Sequence, residues 1–75
     1  MKTKYIDPIS IVAKNIIKHR KKNNISQEEL ASLAGLHRTY IGMVERCKKN
    51  ITILSLYKLA KALNVSLEEL VKNHG

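Results

Sequence analysis

The stretch from Ser26 to Arg46, SQEELASLAGLHRTYIGMVER, decides the fold of this 75-residue chain. Ser26 is followed three residues later by Glu29, the spacing of a capping box. In that box each of the two residues satisfies the backbone amide of the other at a helix start. Leu30, Ala31, Leu33 and Ala34 then recur at helical spacing and are expected to face inward. Gly35 suits the left-handed stop of such a helix. Leu36 anchors the turn, and His37 takes the N-cap place of a second helix covering about Arg38 to Arg46. Ile41 and Val44 face the core from that helix. Arg38, Thr39, Gly42, Met43 and Arg46 are left on its outer side.

The flanks repeat the same chemistry. Asp7-Pro8 is a helix start, with Asp as cap and Pro at the first helical position. Ile9, Val12, Ala13, Ile16 and Ile17 follow at helical spacing, opposite Lys14, Lys18, Lys21 and Lys22. Asn23-Asn24 ends this first helix near Lys22, because Asn tolerates the left-handed region. After a basic loop, Cys47-Lys48-Lys49-Asn50, Thr52 caps a fourth helix, Ile53 to Leu63. Its inner stripe is Leu56, Leu59, Ala60 and Leu63. Ser66 and Glu69 form a second capping box ahead of a last helix, about Leu67 to Lys72. The expected organisation is a basic lead-in (1–6), one domain (7–72) and a frayed end (73–75).

Composition agrees with an all-α domain. Hydrophobic residues make up 44% of the chain, with no Trp or Phe, three Tyr, three Gly and one Pro. Strands joined by tight turns need more Gly and Pro than this. Fourteen Lys and Arg against six Asp and Glu give a net charge of +8. Such an excess draws polyanions, nucleic acid before an anionic membrane surface. The single Cys47 excludes an internal disulfide and fits a reducing compartment. No apolar run approaches a membrane span, and the N-terminus lacks a signal-peptide core. A cytoplasmic protein with no membrane association is expected.

Two short helices around a tight turn, the second leading with polar and basic side chains, form a helix-turn-helix. Its second helix fits the DNA major groove and offers its first residues to base edges. The candidates are Arg38, Thr39, Tyr40, Met43 and Arg46. Arg38 leads them, since a guanidinium reads guanine O6 and N7 in a bidentate fashion. Thr39 and Tyr40 suit a base, a thymine methyl or a phosphate, with partial burial against the second helix as the alternative for Tyr40. Gly42 removes a side chain where the helix would approach the duplex. His37 reads as a cap or phosphate neighbour rather than a base reader.

The blocks SQEELA, AGLHRTYIGMVER, NIT and KLAKALNVSLEEL occur in the order and spacing of the lambda-repressor-like (Cro/repressor-type, XRE) helix-turn-helix family. The chain resembles that family from about Ile16 to Leu70. HRTYIGMVERCKKNIT is most similar to the controller proteins of restriction-modification systems, small homodimeric regulators of transcription. The resemblance implies a five-helix domain in which Gln27 contacts phosphate beside the positive end of its helix. It also implies a phosphate-gripping loop at Lys48, Lys49 and Asn50, for which a solvated loop is the alternative. Arg20 and Glu45 match the family's structural ion pair. Cys47 stands where the family often has Gly, which puts the path of the loop in question.

One recognition helix covers few base pairs, so specificity calls for a twofold pair on a pseudo-palindromic double-stranded operator. Ile51, Ile53, Leu54, Tyr57, Val65, Leu67 and Leu70 exceed what one small core needs. They are the expected dimer interface, with monomer core as the alternative. RNA polymerase is a further candidate partner. An antitoxin with the same fold is the alternative function. No carboxylate pair, activated nucleophile or metal cluster stands out, and His19, His37 and His74 are scattered. No cofactor, metal or catalysis is expected.

Overall fold

The computed structural model describes residues 7–74, so the lead-in expected at residues 1–6 and the terminal Gly75 lie outside the described residues. Five helices follow one another: α1 (Pro8–Lys22), α2 (Gln27–Ala34), α3 (Arg38–Glu45), α4 (Ile53–Leu63) and α5 (Leu67–Val71). There is no strand among the described residues.

Each helix begins on a side-chain cap. Asp7 Oδ1 accepts from the Ile9 amide at 3.1 Å, and Thr52 Oγ1 from the Ser55 amide at 3.0 Å. The capping box of α2 is complete, with Ser26 Oγ accepting from Glu29 N at 3.0 Å and Glu29 Oε1 from Ser26 N at 2.9 Å. The second box is only half made. Ser66 Oγ accepts from Glu69 N at 3.1 Å, but the Glu69 carboxylate turns away to His19 and His74.

The first four helices share one kind of end. Gly35 after α2 is left-handed (φ +69), and Leu36 N reaches back to Ala31 O at 2.9 Å. Asn24, Cys47 and Asn64 do the same work without being glycine, at φ 58, 60 and 58. In each case the next amide closes a bond five residues back: Ile25 to Arg20, Lys48 to Met43 and Val65 to Ala60. These are Schellman-type ends, and they stop the helices abruptly enough to fold five of them into a small volume.

The core joins Val12 and Ile16 of α1, Leu30, Ala31 and Ala34 of α2, Ile41 and Val44 of α3, Leu56, Leu59, Ala60 and Leu63 of α4, and Leu70 of α5. Two expectations are corrected here. Leu33 is 63% exposed rather than inward. It lies roughly 100° round α2 from the centre of the Leu30–Ala31–Ala34 stripe, so spacing to Leu30 alone misplaces it. Leu70 is fully buried and belongs to the monomer core, not to an interface. The short α5 has no other side chain fully buried beneath it, so Leu70 is what attaches it to the body.

Two polar residues lie in the same interior. Asn15 is buried, and its Nδ2 donates to Leu70 O and Lys72 O, both at 2.8 Å. His19, also buried, places Nε2 3.0 Å from Glu69 Oε2. Together they tie the end of α5 to the middle of α1. Past Val71 the chain is no longer helical, and His74 Nε2 folds back to within 3.1 Å of Glu69 Oε2.

Candidate nucleic-acid interface

Helix α3 presents its leading end to solvent. His37 is its cap: Nδ1 accepts from the Thr39 amide at 3.1 Å, which leaves Nε2 on the outer side of an exposed residue. Arg38 and Thr39 are exposed and Met43 is half-buried. Arg38 Nη1 lies 3.6 Å from Glu28 Oε2, with both side chains mostly in solvent. Such a pair is worth at most about 1 kcal/mol, so a stronger anion displaces Glu28 easily. The tip of α3 is therefore both reachable and uncommitted.

Tyr40 takes the alternative course. Its ring packs against the core, and its hydroxyl is buried with no hydrogen-bond partner among the described residues. In this conformation it is not offered to a base. The third position of α3 packs on the core, while the first two are exposed.

Behind the tip, one network fixes how α3 sits. Glu45 accepts from Arg20 Nε at 2.7 Å, from Arg20 Nη2 at 3.0 Å and from Gln27 Nε2 at 2.9 Å. Arg20 Nη1 also donates to Ile25 O at 3.0 Å. Three donors on one carboxylate join α1, the first residue of α2 and the last residue of α3. The bond from Glu45 raises the Arg20 pKa further above its ordinary value, against the opposing effect of burial. Gln27, expected on phosphate, thus has its amide nitrogen engaged inside the protein.

Gly42 also differs from its expected place. It is buried, and a Cβ built on it would lie 3.2 Å from Arg46 Nη1 and 3.7 Å from Gln27 Oε1. Its missing side chain leaves room for protein groups, not for the duplex. Arg46 caps the end of α3 and is exposed.

Past α3, Lys48, Lys49 and Asn50 are all exposed. Cys47 accommodates the left-handed turn that a glycine would otherwise supply, so the loop keeps the tight path in question from sequence. Of the expected interface residues, Ile53, Leu54 and Tyr57 are 65%, 62% and 58% exposed on the first turns of α4. Ile51, Val65 and Leu67 are half-buried against the core.

Sequence reasoning missed Asn15, His19 and Glu28. For His19 the signal was present: residues 12, 16 and 19 fall on one helical face, so it shares the stripe of Val12 and Ile16. Asn15 shares that face, three residues after Val12 and four before His19, but its partners are carbonyls more than 50 residues away and leave no mark in the local sequence.

Comparison with known proteins agrees with this geometry. A helix-turn-helix family model matches residues 16–70. Control protein C.SmaI of Serratia marcescens is 49% identical over 71 residues, covering 95% of this chain and 84% of its own. The restriction-modification controller protein C.AhdI from Aeromonas hydrophila superposes with a TM-score of 0.80 at 37% identity, over 83% of this chain and 94% of its own. The controller protein C.Esp1396I, solved as a tetramer with its natural 35 base-pair operator, gives a TM-score of 0.77 at 36% identity, over 91% of this chain and all of its own. An all-helical domain with its second and third helices around a left-handed Gly35, and relatives of this kind along nearly its whole length, place the chain: it belongs to the helix-turn-helix family, and restriction-modification controller proteins are among its relatives.

Proposed function

We propose that the protein is a homodimeric, sequence-specific double-stranded DNA-binding regulator of transcription, of the restriction-modification controller kind. The observation that carries the reading is the exposed, loosely paired tip of α3, with Arg38 and Thr39 projecting beyond a body that Arg20 and Glu45 hold rigid. The tip enters the major groove. Arg38 reads a guanine, Thr39 a neighbouring base, and Met43 packs on base edges one turn later. His37, Lys48, Lys49 and Asn50 grip phosphates and set register without reading sequence. Gln27 contributes its backbone amide at the positive end of α2, its side chain being engaged with Glu45.

Two copies meet through Ile53, Leu54 and Tyr57 and address the halves of a pseudo-palindrome. A relative in complex with its operator supports a mechanism of occupancy, in which the bound protein excludes RNA polymerase or contacts it. The test compares the wild type, Arg38→Ala and Lys49→Ala on selected and random duplexes. Arg38→Ala is expected to lose discrimination at one base pair per half-site, by about 1–3 kcal/mol. Lys49→Ala is expected to weaken all sequences alike and lower the salt slope by about 1. No preference of the wild type for any duplex would refute the reading.

A further inference from the structure

Gly42 is an anomaly on ordinary helix grounds. It lies in the middle of the eight-residue α3, with no left-handed backbone to explain it. Alanine would be the better helix former there. The position is buried, yet what its Cβ would meet is neither core side chain nor backbone. It would meet the guanidinium of Arg46, at 3.2 Å from Nη1 and 3.9 Å from Cζ, and Gln27 Oε1 at 3.7 Å. The glycine is a notch, and a cation from the end of α3 is seated in it.

The wall of that notch is rigid. Gln27 Nε2 donates to Glu45, which turns the amide oxygen toward the notch. Glu45 is in turn held by Arg20. Gln27 is also the first residue of α2, where free backbone N–H groups gather partial positive charge. Arg46 is thereby parked beside a helix start that attracts anions, eight residues from the reading tip at Arg38.

We infer that Gly42 is a positioning residue, and that the guanidinium it seats is a preorganised clamp on a DNA backbone phosphate rather than a base reader. The inference rests on the DNA-binding reading above and replaces the base-contacting role that the sequence suggests for Arg46. The phosphate lies between the Arg46 guanidinium and the α2 start. Seating the side chain in advance avoids part of the ordering cost of holding a long cation in one pose.

The experiment uses Gly42→Ala, Arg46→Ala and the double variant. Each is titrated with a duplex selected by the wild type from random-sequence DNA and with unselected duplex, over a range of salt. Gly42→Ala is expected to bind both duplexes about tenfold more weakly, with a salt slope smaller by about 1. Its Tm should equal or exceed that of the wild type, which a merely structural role for the glycine would not allow. Arg46→Ala should give the same loss, and the double variant no more than either. Wild-type affinity in Gly42→Ala, or additive losses in the double variant, would overturn the notch. A loss confined to the selected duplex would make Arg46 a base reader and overturn the clamp. Failure of the wild type to select any duplex would remove the DNA-binding reading itself, a result separate from all of these.

Discussion

Arg20 grips Glu45 side-on, Nε to Oε2 at 2.7 Å and Nη2 to Oε1 at 3.0 Å, between side chains only 13% and 5% exposed. A bidentate pair this dry fixes an angle as well as a distance. It sets the pose of α3 against α1, and therefore where the tip at Arg38 and Thr39 points. Arg20→Ala would leave the Glu45 carboxylate buried with only Gln27 as a side-chain donor. The expected cost is about 3–5 kcal/mol, against a much smaller one when both residues become apolar together. Urea unfolding of the single and double variants measures both, and a wild-type midpoint for Arg20→Ala would show that the pair is ornamental.

Asn15 holds the other end of the molecule. Its two 2.8 Å bonds satisfy carbonyls at the close of α5, a helix too short to be stable alone. Asn15→Ala orphans both acceptors in or near the interior, for about 2–3 kcal/mol. Because α5 is tied chiefly through Leu70, Asn15 and His19, amide exchange in residues 67–71 should accelerate more than in α2 or α3. Uniform acceleration across all five helices would mean that α5 is not a separate unit.

Most of the fold was legible because its signals are local. Ser26, Gly35, Thr52 and the apolar stripes each act within a turn or two of themselves, and, Leu33 apart, each behaves as its chemistry dictates. The errors arose where a side chain had two competing partners at a distance. Glu69 abandons Ser66 for His19, 50 residues away. Sequence alone assigns Gly42 to the duplex, because nothing local shows that the exposed Arg46 lays its guanidinium over that position. Leu70 looked surplus only because the depth of α1 beneath α5 is a tertiary fact. At the site, Arg38 and Thr39 followed from helix phase alone, whereas burial of the Tyr40 hydroxyl depends on how α2 and α3 meet.

Cys47 sits at φ +60 in the Schellman-type end of α3. A residue with a Cβ is strained there by about 1–2 kcal/mol, and glycine is not. Part of that relief is offset by the greater freedom of glycine in the unfolded chain. Cys47→Gly should therefore stabilise by about 0.5–1 kcal/mol and raise Tm by roughly 3–6 °C in a domain of this size. Cys47→Ala keeps the Cβ and should give no such gain. Equal Tm values for the two variants would assign the effect to the thiol instead of the backbone.

Glu69 links folding to pH. The hydrogen bond from His19 lowers its pKa below the ordinary 4.5, helped by the charges of His74, His19 and Lys18 and opposed by burial. A carboxyl whose folded value is depressed stabilises the native state above its unfolded value, and that contribution disappears as pH falls through the folded one. The contribution is thus intact above about pH 5 and fades below the ordinary 4.5. The Tm difference between wild type and Glu69→Gln should be full above about pH 5 and shrink as pH falls below the ordinary 4.5. A difference that is constant with pH would show that Glu69 acts through shape alone.

Leu54 and Leu70 were alike in the sequence and are opposites in the fold. Leu54 stands 62% exposed beside Ile53 and Tyr57, and Leu70 is fully buried. These three large apolar side chains on adjoining turns of α4 are the patch proposed to meet a twofold partner. Leu54→Asp should leave circular dichroism and the monomer core intact while sedimentation shifts from dimer to monomer. Affinity for a two-half-site duplex should then fall steeply, with binding to a single half-site little changed. Leu70→Asp should instead unfold the chain, since it buries a charge against α1 with no partner. A folded, fully dimeric Leu54→Asp protein would move the interface off α4, and the pairing of two reading tips would have to be rebuilt on another face.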